Sequence, residues 1–205
     1  LPEPTLNTPF GDGLLSSAEA ATDQTLTGKT GLTGDGQTVT VTLDGVPYTG
    51  TVATDGSWTV TIPAADLQGL GEGTKTITVD VTDAAGNTAT LPGSVNVDFT
   101  PPPLTLDNVA TDNVINAAEA GAPITLSGTS DPADAGQSVT LTFNGQTYTA
   151  EVQPDGSWST TIPANTLNGL ADGSYPLTTT LTDAAGNTTT LPPVNIGIAT
   201  NNVPV

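Results

Sequence analysis

Cysteine, methionine and histidine are absent from this 205-residue chain, and only two of its residues, Lys29 and Lys75, are basic. Without cysteine no disulfide can form. With no Cys, His or Met, soft metals lack ligands, and no side chain has an unperturbed pKa near neutrality. A nucleophilic Ser or Thr would have no His or Cys partner to activate it. A carboxylate pair could in principle hydrolyse a glycosidic bond, but no pattern of acids singles out such a pair. The chain is therefore not expected to be an enzyme. Aromatic residues make up 4% of it, and no apolar run approaches the roughly 20 residues that cross a bilayer. Membrane insertion is not expected. Scarce Lys, Arg and Glu argue against long helices. The first residues, Leu1-Pro2-Glu3-Pro4, have neither the positive nor the apolar region of a signal peptide, and the chain is expected to be an excerpt of a longer protein.

Acid is abundant: 21 Asp and Glu give a formal net charge of −19. Such a surface repels nucleic acid and anionic lipid, and it repels itself unless salt or divalent cations screen it. Its natural small partner is a hard cation bound through oxygen.

One block recurs. Asp55-Gly56-Ser57-Trp58, Ile62-Pro63-Ala64 and Thr82-Asp83-Ala84-Ala85-Gly86-Asn87 return as Asp155-Gly156-Ser157-Trp158, Ile162-Pro163-Ala164 and Thr182-Asp183-Ala184-Ala185-Gly186-Asn187, at a constant offset of 100 residues. Two copies of one domain stand in tandem, residues 1–100 and 101–205. Asp98-Phe99-Thr100-Pro101-Pro102-Pro103 joins them, and its prolines favour a stiff, extended linker.

Within each copy the apolar period is two. Val39, Val41 and Leu43 alternate with threonines, as do Val139, Leu141 and Phe143, the mark of half-buried strands. Asp44-Gly45 and Asn144-Gly145 follow as tight-hairpin signals, and Asp55-Gly56 and Asp155-Gly156 as further turns. Leu67 and Leu70, with Leu167 and Leu170, suit a single helical turn closing one end. Trp58, Trp158, Tyr48 and Tyr148 read as packing or cross-strand residues; a sugar-stacking platform is the weaker reading because strands and turns separate them. With first strands near Leu6 and Leu104-Leu106, each copy has about seven short strands. The expected fold is all-β: two tandem immunoglobulin-like β-sandwich domains, end to end. Missing cysteines exclude the antibody type.

The second copy also carries Asp112-Asn113-Val114-Ile115-Asn116-Ala117-Ala118-Glu119-Ala120. Together with the recurring block, this resembles the bacterial Ig-like repeats of giant type I-secreted adhesins, the RTX and biofilm-associated adhesins of Gram-negative bacteria. The resemblance covers nearly all of both copies. It implies extender repeats of an extracellular stalk on the bacterial cell surface, monomeric, with neighbouring repeats as partners and calcium at or near domain junctions. The first copy departs from the motif, having Asp12-Gly13-Leu14-Leu15-Ser16-Ser17-Ala18-Glu19.

Calcium takes six to eight oxygen ligands, more than one domain end readily supplies. The candidates are Asp12, Glu19, Asp83 and Asp98 in the first copy, and Asp112, Asn113, Glu119, Asp131 and Asp183 in the second. Asp98, Asp12 and Glu19 are expected to face Asp183, Asp131 or Asp134. Asp83 and Asp183 are equally readable as Asx-turn residues bonding their own loop amides. A competing class is a binding module for a glycan or surface protein, with the longer Ser130–Gly136 loop as the place for a ligand. Near-identical loops in neighbouring copies favour a spacer.

Overall fold

The structure is a computed structural model in which residues 1–201 are described. The chain divides into two compact units, Leu1–Thr100 and Pro101–Val205.

In the first unit, β1 (Thr5–Leu6), β3 (Gln24–Lys29), β7 (Ser57–Ile62) and β6 (Thr51–Val52) form one sheet in the order β1-β3-β7-β6. The other sheet has the order β2-β9-β8-β4-β5, built from β2 (Leu14–Leu15), β9 (Thr88–Val97), β8 (Gly73–Thr82), β4 (Thr38–Leu43) and β5 (Val46–Thr49). All pairings are antiparallel except β2 with β9, which is parallel. The chain thus begins in one sheet and crosses to the other before its first helical turn, α1 (Ser17–Ala20). A two-sheet Greek-key sandwich of this kind is the immunoglobulin-like fold.

The alternating pattern explains the layers. Val39, Val41 and Leu43 on β4, Val60 and Ile62 on β7, and Ile77, Val79 and Val81 on β8 are all buried, while the threonines between them face outward or are half-buried. Burying such a side chain contributes about 1.5–3 kcal/mol each, and together they hold the two sheets face to face. Trp58 lies in this core at 1% exposure. At Asp44-Gly45 both residues have positive φ, 48° and 85°, as a two-residue type I′ hairpin requires. A second helical turn, α2 (Ala64–Gln68), follows Pro63 and buries Leu67.

The second unit repeats this plan with β10 (Val114–Asn116), β11 (Ile124–Thr129), β12 (Ser138–Phe143), β13 (Gln146–Glu151), β14 (Ser157–Ile162), α3 (Ala164–Leu167), β15 (Gly173–Thr182), β16 (Thr188–Thr190) and β17 (Val194–Ala199). β10 again pairs parallel with the last strand. Two differences stand out. The expected first strand at Leu104–Leu106 is not regular, although Thr105 and Asp107 donate to Thr129 and Ser127 across the same ladder; the three preceding prolines have no N–H to extend the pairing. The strand after the hairpin also behaves differently. In the first unit it leaves β4 at Gly50, where a Cβ would collide with Thr59 O, and pairs with β7. In the second unit Ala150 occupies that position and stays paired with Val139, so β13 remains wholly with β12.

Candidate functional site

The chain leaves the first unit at the end where β2 and β9 finish. Leu14 pairs with Asn96 and Leu15 with Val97, and Asp98 N–H donates to Leu15 O (3.0 Å). Ser16 caps α1. Its hydroxyl accepts from Glu19 N–H, while the Glu19 carboxylate accepts from Ser16 N–H (3.0 Å) and Ser16 Oγ–H (2.9 Å). This is a capping box, and it places the Glu19 carboxylate beside the end of β9. Asp12 lies upstream of β2, its Oδ1 accepting from Leu14 N–H. Glu19 and Asp98 therefore share the outgoing end of the unit, with Asp12 set back along the β2 edge.

The second unit repeats the arrangement. Asp112 Oδ1 accepts from Val114 N–H, Asn116 Oδ1 from Ala118 and Glu119 N–H, and Glu119 Oε2 from Asn116 N–H. Asn113 is drawn inward, its Oδ1 accepting from Val109 N–H at 2.8 Å. The departures in the first copy now have a physical reason. Gly13 and Asn113 both lie at positive φ, 89° and 64°, a region open to Gly and tolerated by Asn. Ser16 and Asn116 each offer a short side-chain oxygen to the backbone N–H groups of the turn that follows. The changes preserve backbone geometry.

The opposite end of the second unit receives the incoming chain. Pro102 O and Pro103 O accept from Thr189 Oγ and Ser130 Oγ, at 2.5 and 2.6 Å. Here Asp131 caps a short 3-10 turn through Ala133 N–H, and the single Ser130 Oγ–H is shared between Pro103 O and the buried Asp134 Oδ2, each 2.6 Å away. Asp183 and its counterpart Asp83 act as loop-closing acceptors. Asp83 Oδ1 takes Ala85 and Asn87 N–H and its Oδ2 takes the Asn87 amide; Asp183 holds Asn187 in the same way. The Asn87 side chain is the main reason the Asp83 carboxyl sits below the usual range.

Two acids escaped the sequence reading. Glu72 Oε1 accepts from Phe99 N–H and Thr100 Oγ–H, and Asp172 Oδ1 accepts from Thr200 N–H, Thr200 Oγ–H and Asn201 N–H. Each clamps the end of its last strand, and these bonds, that from Thr200 N–H first, hold the Asp172 carboxyl low. The available signal was an acid at the same offset in both copies, before the Gly that opens β8 or β15.

The donor set suits a hard cation in kind. Asp12, Asp112 and Asp131 each accept in a local turn through Oδ1, and Glu19 and Glu119 accept through Oε2. In Asp83 and Asp183 both oxygens are engaged inside the loop. Among the described residues no three acidic side chains converge on one point, so any cation would need further oxygens, from carbonyls, water or another chain segment. No helix among those residues is long and apolar enough to cross a membrane.

The bacterial Ig-like domain family matches the chain twice, over residues 17–99 and 107–200, and the chain belongs to that family. Among solved structures it is similar to the Ca2+-stabilized adhesin that helps an Antarctic bacterium reach out and bind ice, with 32% identity over 97% of this chain and 48% of the other, at a TM-score of 0.55. It is also similar to a 1.5-MDa bacterial ice-binding adhesin, with 28% identity over 98% of this chain and 65% of the other, at a TM-score of 0.56. The chain thus spans about half of the first of these and just under two thirds of the second. The fibronectin(III)-like modules of Clostridium thermocellum CbhA share the fold at 13% identity and a TM-score of 0.55, over 99% of this chain and 97% of theirs. No curated protein matches.

Proposed function

We propose that the chain is a pair of extender repeats from the stalk of a large bacterial cell-surface adhesin, supporting adhesion and biofilm formation, with calcium at or near the junction of neighbouring repeats. One observation carries this reading: 97% of the chain aligns at 32% identity with an adhesin described as Ca2+-stabilized. The role is mechanical. Asp12, Glu19 and Asp98 of the first copy and Asp131 and Asp183 of the second are the candidate ligands for an ion at the junction. Asp112 and Glu119 would serve the same purpose at the following junction, whereas Asn113 and Asp83 would have to share oxygens that already accept from Val109 N–H and from their own loop. Carboxylates gathered round one site would repel one another without a cation; bound calcium would neutralise them and stiffen the stalk. On this reading the protein is extracellular and monomeric, works through neighbouring repeats, and performs no catalysis.

Small-angle scattering and thermal melting with calcium and with chelator test the proposal. Calcium is expected to raise the melting temperature and narrow the distribution of molecular dimensions, and Asp98→Asn with Glu19→Gln to abolish both effects. Dimensions and melting that ignore calcium would overturn it, and saturable binding on a glycan array would favour a ligand-binding module instead.

A further inference from the structure

The hairpin between β12 and β13 consists of Asn144 and Gly145, both exposed, with φ of 48° and 74°. Among the described residues Gly145 N–H donates no hydrogen bond and the Asn144 side-chain amide makes none. No heavy atom lies within 4 Å of where a Gly145 Cβ would stand. Other asparagines are held: Asn87 by Asp83, Asn187 by Asp183, Asn7 by Thr27. Each of these precedes a threonine, whose branched side chain hinders attack by its own amide nitrogen. Asn168 also precedes a glycine, but it closes α3 in helical geometry (φ −63°, ψ −18°).

We infer that Asn144 is a site of spontaneous deamidation. The Gly145 backbone nitrogen gives its proton to solvent and attacks Asn144 Cγ. The N–Cγ bond forms, the Cγ–Nδ2 bond breaks, and ammonia departs with a proton, leaving a cyclic imide. Water then opens the imide at either carbonyl, giving an aspartyl or an isoaspartyl residue; nothing is oxidised or reduced. The first product already exists in this fold, because Asp44 occupies the equivalent hairpin position with the same φ of 48°. There a cation is at hand, Lys75 Nζ lying 4.0 Å from Asp44 Oδ2, whereas position 175 is a tyrosine. The second product adds a methylene to the two-residue loop and cannot keep Phe143 opposite Gln146 in the present register. Ageing thus adds negative charge to the second repeat and, in the isoaspartyl form, loosens its hairpin.

The full chain is incubated in mildly alkaline buffer and mapped by peptide mass spectrometry, isoaspartate being assayed enzymatically. Conversion at Asn144 is expected to run at least about tenfold faster than at the asparagines followed by a side chain, because glycine alone leaves the attacking nitrogen unhindered. Equal or slower conversion at Asn144 overturns the inference. Asn144→Asp is expected to fold and melt like the parent; a large loss of stability would overturn the claim that the sandwich accommodates the product.

Discussion

Gly28 lies against the indole of Trp58, so close that a Cβ at position 28 would stand 2.6 Å from Cζ2 and would also collide with the carbonyl oxygen of Thr5. Gly128 stands in the same relation to Trp158 and Thr105. The two tryptophans are the largest buried side chains of their units, and each fits because the neighbouring strand is bare at one position. β1 and β7 flank β3, and the glycine lets both approach.

Gly28→Ala and Gly128→Ala are therefore expected to destabilise their own unit by about 1–3 kcal/mol, the usual cost of overpacking a filled core. The measurement is thermal or urea unfolding followed by tryptophan fluorescence, which reports each core through its own indole. Gly121→Ala is the control, since no atom lies within 4 Å of the added carbon and its φ is not positive; it should leave both transitions in place.

The capping box and the left-handed residue before it can be separated. Ser16→Ala and Asn116→Ala each remove a side-chain acceptor from the first turn and should cost about 1 kcal/mol. Asn113→Gly should lose only the bond from Val109 N–H, about 1 kcal/mol, because Gly13 already holds that backbone conformation in the other unit. Asn113→Ala should cost about 1–2 kcal/mol more than Asn113→Gly, the left-handed penalty for a residue with a Cβ. Denaturant titration distinguishes these outcomes, and equal effects of Gly and Ala at 113 would refute the backbone explanation.

Acid should unfold the protein through its turn aspartates. Asp55 and Asp155 are held low chiefly by Ser57 and Ser157 hydroxyls, Asp83 by the Asn87 side chain and Asp172 by Thr200 N–H. A folded pKa below the unfolded one contributes stability above about pH 4, which is lost as pH falls through the lowered value. The net charge of −19 works the other way, since protonation relieves repulsion. Added salt screens the repulsion and so should expose the acid loss. Asp83→Asn should be less stable at neutral pH and show a shallower acid limb, because its Nδ2 would face the Asn87 donor instead of accepting from it.

Much of the sandwich was legible because its rules are local. Period-two alternation placed β4 and β12, and Asp-Gly and Asn-Gly steps with positive φ placed the hairpins. The split first strand was not legible. Leu14-Leu15 is too short for any period to show, and its parallel pairing with Asn96 and Val97 spans most of the unit. The crossing at Gly50 was hidden for the same reason: whether that strand follows β4 or β7 turns on one Cβ against Thr59 O. Among the acids, residue type and offset identified Asp12, Glu19, Asp112 and Glu119 as a repeated set. Glu72 and Asp172 were missed because their partners, the amides ending β9 and β17, lie 27 or more residues away.

Tyr48 gives the first unit an alkaline limb. Tyr48 Oη–H donates to Asp66 Oδ2 at 3.0 Å; burial first, and then this carboxylate, push the phenol up to about 12. An unfolded tyrosine ionises near pH 10. With the folded value raised, the stability Tyr48 contributes is fully present below about pH 10 and lost as pH rises toward 12. Tyr48→Phe removes the ionising group and should flatten that limb while lowering neutral stability only by a hydrogen bond, about 1 kcal/mol. Position 66 is the specific partner, since the second unit has Thr166 there; Asp66→Thr should lower the Tyr48 pKa in an ultraviolet titration of the phenolate, and an unchanged value would show that burial acts alone.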